Sequence, residues 1–169
     1  GWDLYRAPAD APTQAQVLAA ANSRGDERSP SLDEAGRLLF ASNRNGHWQL
    51  WQAQADGSTA RAVDGPLNAA GDIQGVLALG DRGDAVVSRV QADGQSRLHH
   101  AWCSAGQWQD GGPLPLSFND GRGQTQAPGR DHSMPAELLL AGSADSPRAG
   151  GLDIYRTRAP HSRGDGSCH

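Results

Sequence analysis

Six histidines, two cysteines and 19 carboxylates are the side chains with which this chain could bind a metal or move a proton. The one grouping among them sets His99 and His100 beside Cys103, with Asp131 and His132 further along. Zinc sites draw ligands from short paired spacings such as Cys-x2-Cys with His-x3–5-His, and no such pair occurs. Adjacent histidines on a strand point to opposite faces, so one ion cannot collect both. No metal and no other cofactor is expected.

Covalent and phosphate chemistry also lack their residues. Gly-x-Ser-x-Gly, the elbow that raises a serine nucleophile, is absent. A phosphate-binding loop needs lysine, and all 15 basic residues are arginine. The carboxylate pairs Asp26-Glu27 and Asp33-Glu34 are neighbours in turn-prone stretches, as solvated surface acids are. No base, nucleophile and orienting partner assemble, so the chain is read as not an enzyme. Three Arg-Gly-Asp triplets, at 24–26, 82–84 and 163–165, read as turn fillers in a chain rich in these residues rather than as adhesion motifs.

The elements that carry these residues must be built from 169 residues with 22 Gly, 10 Pro and nine aromatic rings, a size that one domain can fill. A net charge of −4 excludes the clustered basic surface that nucleic acid requires. Apolar runs such as Leu138-Leu139-Leu140-Ala141 are far short of the ~20 residues that span a bilayer. The first residue is Gly and no leader-like segment is present, so the chain reads as processed or excised. Cys103 and Cys168 are compatible with a disulfide in an oxidising compartment and equally with two free thiols. Composition predicts that the polar tail, residues 159–169, is disordered.

Internal repetition supplies the architecture. Asp3-Leu4-Tyr5-Arg6, Gln49-Leu50-Trp51-Gln52, Arg97-Leu98-His99-His100 and Asp153-Ile154-Tyr155-Arg156 each place an aliphatic residue before a ring after a turn-prone stretch. A second series, centred on Leu39, Val87 and Leu139, runs ahead of the first with matching spacing. Short apolar runs bounded by Gly, Asp and Asn are what strands buried on both faces look like. Asp56-Gly57 and Asp93-Gly94 supply the positive φ of tight hairpins. Each unit of about fifty residues therefore reads as four short antiparallel strands, with units at 1–22, 28–63, 73–116 and 124–158. Residues 12–21 fit a short helix or an outer strand around Gln16-Val17-Leu18, and the strand suits the period better.

The run from Ser29-Pro30-Ser31-Leu32-Asp33-Glu34 through Leu39-Phe40-Ala41-Ser42-Asn43-Arg44-Asn45-Gly46 to Leu50-Trp51 and Asp56-Gly57-Ser58 resembles the WD40-like repeat of TolB-type β-propellers. The last unit, ending Gly151-Leu152-Asp153-Ile154-Tyr155-Arg156, is similar to the variant found beside outer-membrane, peptidoglycan-associated proteins. The middle unit departs from the pattern: Ser-Pro-Asp-Gly is missing before Val86-Val87, and His99 replaces the ring. The resemblance implies an all-β propeller of four-stranded antiparallel blades. It would begin with the third and fourth strands of one blade, run through two whole blades and stop near the third strand of the next.

About three blades cannot close a ring. Either the chain is a fragment of a longer propeller, or two copies form a six-bladed homodimer. The function this implies is non-catalytic binding of a protein or cell-envelope component by an exported, periplasmic or secreted protein. The alternatives are the propeller portion of a larger enzyme, as in a gated serine peptidase or a glycan-active protein, and a lectin-like oligomer. Binding would use loops 43–48 and 143–151 and the rings near them, which nominates Arg44, Asn45, His47, Trp48, Trp102, Trp108 and Arg148. Strand alternation puts Trp51 in the core and leaves Trp48 more exposed.

Overall fold

The computed structural model describes residues 1–69, 71–131, 133–144 and 150–168. They form thirteen strands in four antiparallel sheets, and among them there is no α-helix. The first sheet pairs β1 (Tyr5–Arg6) with β2 (Gln16–Val17). The second is β3 (Glu27–Leu32), β4 (Arg37–Ser42), β5 (Gln49–Gln54) and β6 (Arg61–Ala62). One 3-10 turn, Pro66–Ala69, leads to the third sheet: β7 (Asp72–Leu79), β8 (Asp84–Val90), β9 (Ser96–Ser104) and β10 (Gln107–Pro113). The fourth is β11 (Thr125–Arg130), β12 (Glu137–Gly142) and β13 (Asp153–Arg158). In every sheet the spatial order follows chain order, as hairpin connections require. No helix among the described residues is long and apolar enough to cross a membrane.

Three apolar clusters fill the gaps between successive sheets. Leu4, Leu18, Phe40 and Trp51 lie between the first and second, and Leu39, Leu50, Val63, Val87 and Trp108 between the second and third. Val86, Leu98, Leu138 and Leu140 lie between the third and fourth. The aliphatic residue of each Leu-ring strand faces the following sheet and the ring faces the preceding one, as period-2 alternation demands. Leu4, Leu50 and Leu98 are accordingly buried, whereas Ile154 faces the open side of the last sheet and is 80% exposed. Tyr5 faces the open side of the first sheet for the same reason and is 59% exposed.

The second aliphatic series needs one correction. Leu39 and Val87 are not equivalent: Leu39 faces forward from the second sheet and Val87 faces back from the third, so they meet in one cluster. Val86 is the counterpart of Leu39. A shift of one residue exchanges the faces of a strand, and a run apolar on both faces hides that shift from a spacing count.

A recurrent asparagine clamp fixes each Leu-ring strand. Asn22 Oδ1 accepts from Leu4 N at 2.8 Å, and its Nδ2 donates to Leu4 O at 3.1 Å. Asn68 does the same to Leu50 at 2.8 and 3.0 Å, and Asn119 to Leu98 at 2.9 and 2.8 Å. Leu18, Val63 and Leu114 donate their backbone N–H to the same three carbonyls.

The segment after β13, for which composition predicts disorder, makes specific contacts among the described residues. Residues 162–168 bond to the third sheet, and Cys168 forms a disulfide with Cys103 of β9.

Candidate binding cleft at the first strands

The first strands of three sheets lie side by side, β3 against β7 and β7 against β11. Each carries a bulge, between Arg28 and Ser31, Ile73 and Gly75, and Gln126 and Gly129. Ser29 and Ala127 hold φ of 54° and 52° at these bulges, the left-handed region in which an extra residue bends a strand. Counting from Gly25, Gly71 and Gly123, the same position in each repeat is Arg28, Gln74 and Gln126. All three line one cleft of about 400 Å³, with Ser29, Gly75, Ser88, Val90, Ser96, Ala127 and Pro128.

Sheet-to-sheet bonds hold this geometry. Ser29 Oγ accepts from Val76 N at 3.0 Å and Ser31 Oγ accepts from Ala78 N at 2.9 Å. Arg130 of β11 donates to Ala78 O at 3.1 Å. The Arg28 guanidinium lies over the Trp48 ring, 3.9 Å from its centroid, and bonds Gln74 Oε1. Its Nε is buried without a hydrogen-bond partner. Burial pulls the Arg28 pKa below its ordinary value, and the nearby Asp26 charge opposes the shift. Ser88 and Ser96 hydroxyls bond each other at 2.8 Å.

Guanidinium, amide and hydroxyl groups can donate and accept hydrogen bonds in this cleft. Among the described residues its lining carries no carboxylate, imidazole or thiol.

The nominated residues scatter. Arg44 turns inward over the Trp51 ring, at 4.1 Å, and pairs with the buried Glu27 at 3.2 Å. Burial lowers its pKa against the opposing Glu27 charge. Asn45 and His47 are exposed on the β4–β5 turn, with Asn45 bonded to Gln49. Trp48 is half-buried beneath Arg28. Trp102 lies half-buried under the Arg163 guanidinium, 4.8 Å away. Trp108 is core, between the second and third sheets. Arg148 lies outside the described residues. The loop residues therefore do not converge with the two later tryptophans.

His99 and His100 point apart and engage different acids. His99 Nδ1 meets Asp110 at 2.8 Å, and Asp110 also receives the fully buried Arg89 at 2.9 Å. Burial would raise the Asp110 carboxyl, but the His99 bond, the Gly112 amide and the Arg89 charge overcome it and hold it low. His100 Nε2 meets Asp84 at 3.2 Å. Cys103 is in a disulfide, and His132 lies outside the described residues.

Sequence reasoning missed the asparagine clamps and the cleft position, although a signal for both was present. Leu4 to Asn22 and Leu50 to Asn68 have the same spacing, and Asn22-x2-Gly25-Asp26 matches Asn68-x2-Gly71-Asp72. The first Arg-Gly-Asp triplet belongs to this element: Asp26 accepts from Trp2 N at 2.8 Å, as Asp72 does from Trp48 N at 3.2 Å. No family model and no curated protein matches the chain.

Proposed function

We propose that the four sheets are successive blades of a β-propeller of the TolB-like type and that the protein is a non-catalytic binding module of an exported protein. Its ligand is a protein or cell-envelope component that enters the cleft at the first strands. The observation that carries this reading is the convergence of Arg28, Gln74 and Gln126 from equivalent positions of three repeats. Repeats that are alike in their clamps and turns differ at this position only in which polar side chain they present, as a shared recognition surface would. Side-by-side first strands suit a radial array of blades. The Cys103–Cys168 disulfide suits an oxidising compartment such as the periplasm.

Capture from cell-envelope extracts tests the proposal. The wild-type chain retains a partner, and Arg28→Ala weakens retention by about tenfold or more, the usual effect of losing an arginine hot spot. Arg122→Ala, on an 89% exposed side chain that is not part of the cleft lining, leaves it unchanged. Recovery of nothing across salt conditions, or equal recovery by Arg28→Ala, rejects the reading.

A further inference from the structure

The segment after β13 is seated as a bound peptide would be. Asp84, at 2% exposure, accepts the Ser162 hydroxyl at 2.6 Å and the backbone N–H groups of Arg163 and Gly164 at 2.8 and 3.0 Å. The Arg163 guanidinium covers Trp102. Asp165 N donates to Cys103 O at 3.1 Å and Gly166 N to Arg82 O at 2.9 Å. Asp165 and Ser167 side chains in turn accept from Ala105 N and Gly106 N at 2.8 and 2.7 Å. Gly164 is sterically specified: a Cβ there would collide with Arg82 O and stand 2.7 Å from Asp84 Oδ2. The second and third Arg-Gly-Asp triplets thus lock onto each other.

The way this segment is held differs from the way the sheets are. Ser162, Arg163, Asp165 and Ser167 are exposed, and only Gly164 and Cys168 are buried. No large apolar side chain anchors it. Its contacts are polar, and three of them converge on the Asp84 carboxylate. The covalent anchor is the disulfide to Cys103, and Arg37 of the second sheet adds one bond to Cys168 O at 3.0 Å.

We propose that residues 160–168 are a reducible strap seated in a peptide-docking groove formed by Arg82, Asp84, His100, Trp102 and Cys103, which on reduction accepts an extended Ser-Arg-Gly segment from another chain. A dithiol reductant supplies two electrons and two protons: the S–S bond breaks, Cys103 and Cys168 become thiols, and the reductant leaves as its own disulfide. The emptied groove presents a buried carboxylate for two consecutive amides and a hydroxyl, a ring for a guanidinium, and two carbonyl acceptors for the amides that follow.

Hydrogen exchange on the full chain tests the latch. In the oxidised protein the amides of Arg163, Gly164 and Gly166 are protected. Dithiothreitol, or Cys168→Ser without reductant, speeds their exchange at least tenfold, while the amides of β8 and β9 keep their protection. Unchanged strap protection overturns the latch, and loss of protection throughout the third sheet shows the disulfide to be a staple of the fold instead. The groove is tested with the full chain carrying Gly164→Val and Cys168→Ser, whose own strap cannot seat. A fluorescein-labelled peptide of residues 159–167 binds this chain, and adding Asp84→Asn weakens binding at least tenfold. Absence of binding, or loss of β8 and β9 protection in the Gly164→Val chain, overturns the docking proposal.

Discussion

Asn68 does at one residue what a sheet ladder does over several. It satisfies the N–H and C=O of Leu50 and the C=O of Val63, all beside the core, where an unpaired backbone group is costly. Asn68→Ala removes the partner of the Leu50 N–H and of the Val63 C=O, while the Leu50 C=O keeps the Val63 N–H, and is expected to cost about 3 kcal/mol, at one to three per buried group with partial relief by water. Urea denaturation reads this as a lower midpoint with an unchanged slope. Titration at His100 is a second residue-scale test. Burial lowers its pKa below the usual 6.5, while the Asp84 bond opposes the shift and the Arg163 charge adds to it. A folded pKa below the unfolded one means that the unfolded chain takes up the proton first. Stability is therefore complete above about pH 6.5 and declines as the pH falls below it. Ring resonances followed by NMR place the His100 midpoint below 6.5, and Asp84→Asn moves it lower still by removing the acceptor. Asp165, held at about 2 by Ser167 and the Ala105 and Ser167 amides, stays charged until the pH approaches that value.

Elements meet through backbone as much as through side chains. Trp108 N of β10 donates to Asp64 O at 2.7 Å, joining the exit of the second sheet to the outer strand of the third. Gly65 allows that approach: its φ is +114°, and a Cβ would stand 2.5 Å from Trp108 O. Gly65→Ala combines a forbidden φ with a backbone collision and is expected to destabilise by more than about 2 kcal/mol, read as a lowered melting temperature. The strands were legible in the sequence because apolar runs and turn residues announce them locally. The number of sheets was also legible, since the Leu-ring period counts them. Facing was harder: Val86-Val87 is apolar on both sides, and only the partner strand decides which residue looks forward. Arg44 reads as a loop arginine because its partner, Glu27, lies 17 positions earlier on the neighbouring strand. The strap reads as disordered because composition records its lack of apolar residues and not the Asp84 acceptor that awaits its amides. The disulfide stayed open for a related reason, since pairing over 65 residues depends on a proximity that the fold creates.

Among the described residues, three filled gaps separate four sheets, and the outward faces of the first and last sheets carry exposed apolar side chains. Tyr5 and Val17 stand 59% and 52% exposed on the first sheet, and Ile154 stands 80% exposed on the last, with Leu152 just before its strand at 44%. Each of these faces repeats chemistry that inside the array is covered by the next sheet: Ile154 occupies the position of Leu50 and Leu98, and Tyr5 that of Trp51. β6 and β10 flank the Leu-ring strands of the second and third sheets, and β13 is the Leu-ring strand of the last. Exposed apolar faces favour association with another chain. If two copies associate, the first face of one is expected to meet the last face of the other, since Tyr5 and Ile154 stand where Trp51 and Leu50 meet neighbouring sheets. Association is therefore expected to rise with concentration, from 17.7 kDa toward twice that mass if two copies close on each other. Ile154→Glu places a charge where the next sheet would sit and holds the chain at 17.7 kDa without loss of melting temperature, because the residue is already in water. Light scattering over a range of concentrations measures both. A mass that stays at 17.7 kDa for the wild-type chain at hundreds of micromolar would mean that the outer faces do not recognise each other, and a two-copy ring would then be ruled out.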